Sequence, residues 1–221
     1  MDKRAVSSAG AAPATMRAAV VTQPGGLDAL QATTVPMPEP QPGWVRIEVK
    51  AFGVNESEVT TRKGESDPEA TYPRIPGIEG VGVVDQADED SGLRPGQQVA
   101  TMMGGMGRSF DGSYAQYVTV PAGQVIPFET GLPWEVAGAL PEMFQTAYGS
   151  LATGLTLQAG QTLLIRCGTS TVGLSAATIA KDLGAPCCPP LAARTGPGNC
   201  GPWVSTILWS MVAPSPTKCA S

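Results

Sequence analysis

The chain has 221 residues, a formal net charge of −5, 42% hydrophobic and 15% charged residues, 27 glycines and 21 prolines. This balance permits a buried core and excludes disorder throughout, and the negative charge argues against a nucleic-acid or anionic-membrane surface. There is no histidine, which removes a His general base, a Ser-His-Asp triad and nearly all catalytic zinc sites.

Residues 1–15 carry Lys3 and Arg4 and then Ala, Ser and Gly without an apolar core. They are read as a disordered leader rather than a secretory signal. No apolar run reaches the roughly 18 residues of a membrane span, so the chain is expected to be cytoplasmic. Met16 opens a strand over Arg17 to Val21. Pro36, Pro38, Pro40 and Pro42 form a stiff, extended entry to the next strand. There Val45, Ile47, Val49 and Ala51 alternate with Arg46, Glu48 and Lys50, the period of a half-buried strand. Further strands are predicted at 79–85, 97–103 and 114–120, with glycine-rich turns between them, as in a small barrel.

The pattern changes at residue 132. Pro133-Trp134-Glu135 resembles a helix start, Pro141 breaks that segment, and a second helix is predicted over about Glu142 to Ala152. Gln161 to Arg166 contains the buried-type strand Thr-Leu-Leu-Ile. Gly168 to Gly173 is a turn. Val172 to Leu183 is a predicted helix, stopped by Gly184. Strand, glycine turn and helix open a βαβ unit.

Residues 186–221 hold seven prolines, Arg194 and Lys218 as the basic residues, no acid, and four of the five cysteines. Neither period 2 nor period 3.6 is sustained, and the cysteine spacings match neither a zinc ribbon nor an ordinary disulfide framework. Read one base out of frame, Cys187-Cys188 forces Leu, while Trp203-Val204 and Met211-Val212 each force Gly. With permitted codons elsewhere, that frame spells a strand, a basic turn, a helix and another strand. The tail is therefore expected to be an out-of-frame continuation, the alternative being a divergent end.

Gly168-Thr169-Ser170-Thr171-Val172-Gly173 lies between a strand and a helix. It is either a phosphate cradle, built from backbone N–H groups and the helix dipole, or a tight strand–helix connection. Spacing alone leaves both open, since Cys167 and Thr171 occupy positions where a full G-x-G-x-x-G would have glycine.

Taken in order, the segments resemble the medium-chain dehydrogenase/reductase family over about residues 16–185. The run Leu163 to Ala185 looks like its cofactor turn and first helix. Gly53-Val54-Asn55-Glu56-Ser57-Glu58 is similar to the loop facing the nicotinamide, and Pro76-Gly77-Ile78-Glu79-Gly80-Val81-Gly82 to the P-G-x-E-x-x-G strand entry. Leu93 to Val99 and Gly112 to Tyr117 match later barrel strands, and Phe144-Gln145-Thr146-Ala147-Tyr148 matches the linking helix. The resemblance implies an α/β plus β fold: a GroES-like β-barrel domain over 16–130, followed by an incomplete Rossmann domain. Connecting helices and the first strand–turn–helix would occupy 131–185, and the aberrant tail 186–221.

In the family's zinc enzymes a Cys and a His stand where this chain has Asn55 and Ile78. Its zinc-independent quinone reductase branch (zeta-crystallin-like) typically has Asn at the first position. The resemblance therefore implies NADPH as cofactor, with NADH not excluded, no zinc, and hydride transfer to a small quinone or activated enone. Asn55 is the implied catalytic donor to the substrate oxygen. Thr146, Gly168, Ser170, Thr171, Val172 and Gly173 are the implied cofactor contacts. Plainer roles stand beside these: a turn residue at Asn55, an internal hydrogen-bonding group at Glu79, an ordinary helix residue at Thr146, and packing at Tyr72 and Tyr114; Arg108, in the Gly104–Gly112 loop, is a candidate substrate gate. Enoyl reductases of multienzyme synthases share the fold. Relatives often dimerise through Rossmann edge strands, which this chain lacks. The incomplete domain leads to the expectation of weak cofactor binding and weak or absent activity, and in the limit of a non-catalytic GroES-like fragment.

Overall fold

The computed structural model describes residues 15–66, 70–185 and the backbone of 187–188. The expected leader, apart from Thr15, and most of the expected out-of-frame tail lie outside the described residues. The chain divides at Gly138–Ala139 into two compact units.

The first unit is mostly β. Strand β1 (Thr15–Val21) pairs antiparallel with β2 (Leu30–Pro36) in a two-stranded sheet. A five-stranded antiparallel sheet follows, built from β3 (Trp44–Ala51), β4 (Glu79–Gln86), β5 (Gln98–Met102), β6 (Tyr117–Pro121) and β7 (Val125–Pro127). Its strand order is β6-β3-β4-β5-β7. One helix, α1 (Glu56–Lys63), lies between β3 and β4.

Alternation gives the larger sheet one apolar face. Val45, Ile47, Val84, Val99, Val118 and Val120 turn to one side and form a single core with Met106 and Leu93. Each such side chain contributes about 1.5–3 kcal/mol on burial. The sheet has a register break where β3 and β4 slip between Val49 and Ala51. Gly82 sits at this slip, where a Cβ would lie 2.0 Å from the Glu48 carbonyl oxygen, so only glycine lets the two backbones approach this closely. On the other face, Val81 and Ala100 meet Ala137 of the short helix α2 (Trp134–Ala137).

Two expectations shift. The strand expected over 114–120 starts at Tyr117, because residues 114–116 pair with β1 instead: Ala18 bridges Ala115, and the Ala19 N–H donates to the Tyr114 carbonyl. The proline-rich approach to β3 is preceded by β2, a strand that the sequence pattern does not announce.

In the second unit, α3 (Pro141–Tyr148) begins at Pro141 itself, in the first-turn position that suits a residue without an N–H. It runs into a π-helical turn over Gly149–Gly154, so the helix expected to Ala152 changes pitch after Tyr148. Strand β8 (Leu163–Leu164) leads through the glycine turn into α4 (Thr171–Asp182). Gly184 adopts φ 72° and ends that helical segment as expected. A short strand β9 (Cys187–Cys188) then pairs parallel with β8. A βαβ unit is thus present, and the Rossmann portion holds a second strand beyond the single one read from the sequence. Its core is Ala147 and Leu151 against Leu163, Ile165, Ala176 and Ala180.

Candidate functional site

The first unit brings Asn55, Glu58, Ile78 and Glu79 into one hydrogen-bonded group. Asn55 is the N-cap of α1, and Glu58 stands at the third helical position. The Glu58 carboxylate accepts from the Asn55 N–H (2.8 Å) through Oε2 and from the Ile78 N–H (3.0 Å) through Oε1. Both of its oxygens are thereby committed to tying the helix start to the entry of β4. The Asn55 carboxamide Nδ2 donates to Oε1 of Glu79 at 2.8 Å. Glu79 is 2% exposed and Glu58 6%. Gly53 makes room for the Glu79 carboxylate, since a Cβ there would lie 2.0 Å from its Oε1. The Ser113 hydroxyl donates to the Glu79 carbonyl.

Burial raises the Glu58 carboxyl above its ordinary value; backbone N–H bonds pull it down, and the Glu79 charge adds to the rise. Folded Glu58 therefore holds its proton more tightly than in the unfolded chain. Its stabilising contribution is fullest below the unfolded value and is lost as pH rises through the folded one. Glu58→Gln removes this titration and turns an amide NH2 against a backbone N–H. At neutral pH the variant is expected to lose about 1–3 kcal/mol. Denaturant unfolding at successive pH values from about 4 upward is expected to show the wild-type advantage shrinking as pH rises. An advantage that grows with pH would contradict this assignment.

Tyr114 stacks on Phe52 with ring centroids 4.6 Å apart. Its hydroxyl is buried with no partner among the described residues. Burial, then the charges of Glu58 and Glu79, raise its phenol, which stays a neutral donor. The Tyr72 hydroxyl donates to the Thr61 carbonyl at 2.6 Å, a packing role. Arg108 donates from Nη2 to the Ser57 hydroxyl and lines a half-open cavity of about 210 Å³ together with Ile78.

The metal-ligand chemistry is poor. Ile78 offers no donor atom, both Glu58 oxygens are occupied, and the Asn55 carboxamide turns its nitrogen inward. Among the described residues no three His, Cys, Asp or Glu stand together as a ligand set.

In the second unit, the Thr146 hydroxyl donates to Oε1 of Glu142 one turn earlier (2.6 Å). Ser170 caps α4: its hydroxyl accepts from the Gly173 N–H at 3.1 Å. The N–H of Leu174 goes to the Ser170 carbonyl. Thr171 and Val172 hold the first two N–H groups of the helix, which the helix cannot satisfy itself and which suit a phosphate oxygen. Gly173 presses on the turn, with a Cβ there 2.6 Å from the Cys167 carbonyl oxygen and 2.8 Å from the Gly168 Cα. The turn can therefore accept a pyrophosphate on its backbone.

Cys167 sits at φ 53°, a conformation that costs a side chain about 1 kcal/mol and glycine almost nothing. Cys167→Gly is expected to stabilise the protein by roughly 0.5–1 kcal/mol, read as a higher denaturant midpoint with unchanged slope. A lower midpoint would contradict this.

Comparison with known proteins bears on this geometry. Residues 41–130 match the alcohol dehydrogenase GroES-like domain. The chain is 31% identical over 169 residues to the squalestatin tetraketide synthase of a Phoma species, covering 75% of this chain and 6% of the synthase. It is 31% identical over 169 residues to the mouse synaptic vesicle membrane protein VAT-1 homolog-like, covering 76% of this chain and 39% of that one. The native structure of a mycobacterial protein complexed with NADPH superposes with TM-score 0.69 at 27% identity, over 78% of this chain and 52% of that one. The chain thus spans well under half the length of these curated relatives. Among the described residues no helix is long and apolar enough to cross a membrane.

Proposed function

We propose that this chain, which belongs to the medium-chain dehydrogenase/reductase superfamily and is oxidoreductase-like in kind, serves zinc-independent hydride transfer from NADPH to a quinone or an activated enone. The observation that carries the reading is the clamp of the Asn55 carboxamide on buried Glu79, at the place where a zinc enzyme of the family has a metal ligand. A bound nicotinamide supplies the hydride. Glu79 takes one N–H of Asn55 Nδ2 and fixes the plane of the amide; the second N–H is the donor that we assign to the substrate oxygen as it gains negative charge. Phe52 and Val54, in the loop that leads to Asn55, are exposed and would lose water to a bound apolar substrate. A quinone oxygen becomes a stable anion, so its proton can come from solvent. The N–H groups of Thr171 and Val172 would hold the pyrophosphate at the Gly168–Gly173 turn, and the Thr146 hydroxyl is the group that the family resemblance assigns to the nicotinamide.

A second reading has its own support. The described Rossmann portion consists of β8, α4 and β9, two strands of two residues each, and a sheet this short gives a dinucleotide little to rest on. In that case the chain is a GroES-like unit without usable cofactor affinity. Fluorescence titration of the purified chain with NADPH separates the two. Saturable binding supports the reductase, and a flat titration supports the non-catalytic unit.

A further inference from the structure

The cavity lined by Arg108 has a composition that plain reduction of a neutral quinone does not need. Ile78, Met103 and Met106 form its apolar wall, and Ser66, Ser109 and Arg108 its polar one. It lies against the Asn55 group: the Ile78 backbone is held by Glu58, and Ser57, held by Arg108, follows Asn55 by two residues. The Ser57 hydroxyl fixes one end of the guanidinium. The Nε of Arg108 and the hydroxyl of Ser66 are buried with no partner among the described residues. The ion pairs among the described residues are made by Arg46, Lys50 and Arg74, so Arg108 brings a positive charge to the cavity without a carboxylate of its own among them. A guanidinium always carries its charge and presents its donors as a planar fork that matches a carboxylate. A buried Nε–H without a partner is costly, and each such group in a folded protein calls for an explanation.

We infer that this cavity binds a carboxylate on the substrate through Arg108, so that the preferred substrate is a small acidic enone or quinone rather than a neutral one. The guanidinium of Arg108 receives the carboxylate, Ser57 holds it in place, and Met103 and Met106 accept the few carbons between the acid and the reacting bond. A volume of about 210 Å³ suits a short acid. The inference rests on the reductase reading for the identity of the molecule that carries the acid, and on the cavity alone for the anion preference.

The test uses 3-acetylacrylate and its methyl ester, which share the reacting enone and differ in charge. Binding of each to the full chain is measured by titration calorimetry, without cofactor. Wild type is expected to bind the acid at least tenfold more tightly than the ester, and Arg108→Gln to bring that ratio near one. Arg108→Lys is expected to fall between them, because it keeps the charge and loses the fork, and Ser57→Ala to lower the ratio in the same direction. A wild-type ratio near one overturns the inference, as does a ratio that survives Arg108→Gln in a variant that melts like wild type. NADPH consumption with each compound is read separately. An Arg108-dependent acid preference without turnover sustains the anion site and removes the reductase reading; turnover of the ester without acid preference does the reverse.

Discussion

Gly173→Ala is expected to weaken NADPH binding by at least about tenfold and to lower the stability of the second unit by roughly 2–3 kcal/mol. The methyl group would meet two backbone atoms, the Cys167 carbonyl oxygen at 2.6 Å and the Gly168 Cα at 2.8 Å. Neither is the end of a flexible side chain, so the first turn of α4 must move away from the end of β8. That displacement takes the N–H groups of Thr171 and Val172 with it and opens the Ser170 cap on the Gly173 N–H. It also loosens the packing of Ala176 and Ala180 on Leu163 and Ile165. Fluorescence titration and denaturant unfolding of the variant check the two parts. Unchanged NADPH affinity in a chain whose wild type binds NADPH would show that the turn does not carry the pyrophosphate.

Glu79→Ala is expected to cost about 3 kcal/mol or more of stability, together with most of the reductase activity. The side chain is 2% exposed, so its removal leaves a buried gap and strips the Asn55 amide of its acceptor. Glu79→Gln keeps the volume and an oxygen that can accept from Asn55, and it is expected to lose less than half as much. Equal losses in the two variants, measured by denaturant unfolding, would mean that charge rather than shape and acceptor geometry holds the site.

Much of the barrel is legible in the sequence because apolar and polar residues alternate along β3 and β6. Val45, Ile47 and Val49 against Arg46, Glu48 and Lys50 identify β3 within a residue. The same logic explains the misses. In β2, six of seven residues are exposed and the strand ends in Pro36, so no alternation marks it. Helix α1 buries only Glu58 and Thr61, two polar residues, and thus lacks an apolar stripe. Its signature was of another kind: Asn at the N-cap with Glu three residues later. Read as a capping pair, Asn55 and Glu58 would have placed a helix there and linked Glu58 to the site. Of the two readings open for Glu79, family motif residue and internal hydrogen-bonding group, the second fits its clamp on Asn55. The contact itself was illegible, because it joins residues 24 apart through a bulged sheet. Cys167 stands where the motif would have glycine, and its φ of 53° supplies the reason. The strand β9 at Cys187–Cys188 falls in a stretch whose composition gives no strand signal.

The most direct test of the metal-free mechanism is NADPH consumption with 1,4-benzoquinone by the chain after exhaustive chelation, wild type beside Asn55→Ala. The expected result is turnover by chelated wild type that added zinc does not increase, and a rate roughly 100-fold lower for the variant, as for loss of one oxyanion donor. Turnover that appears only with zinc, or an Asn55→Ala chain as fast as wild type, would contradict it.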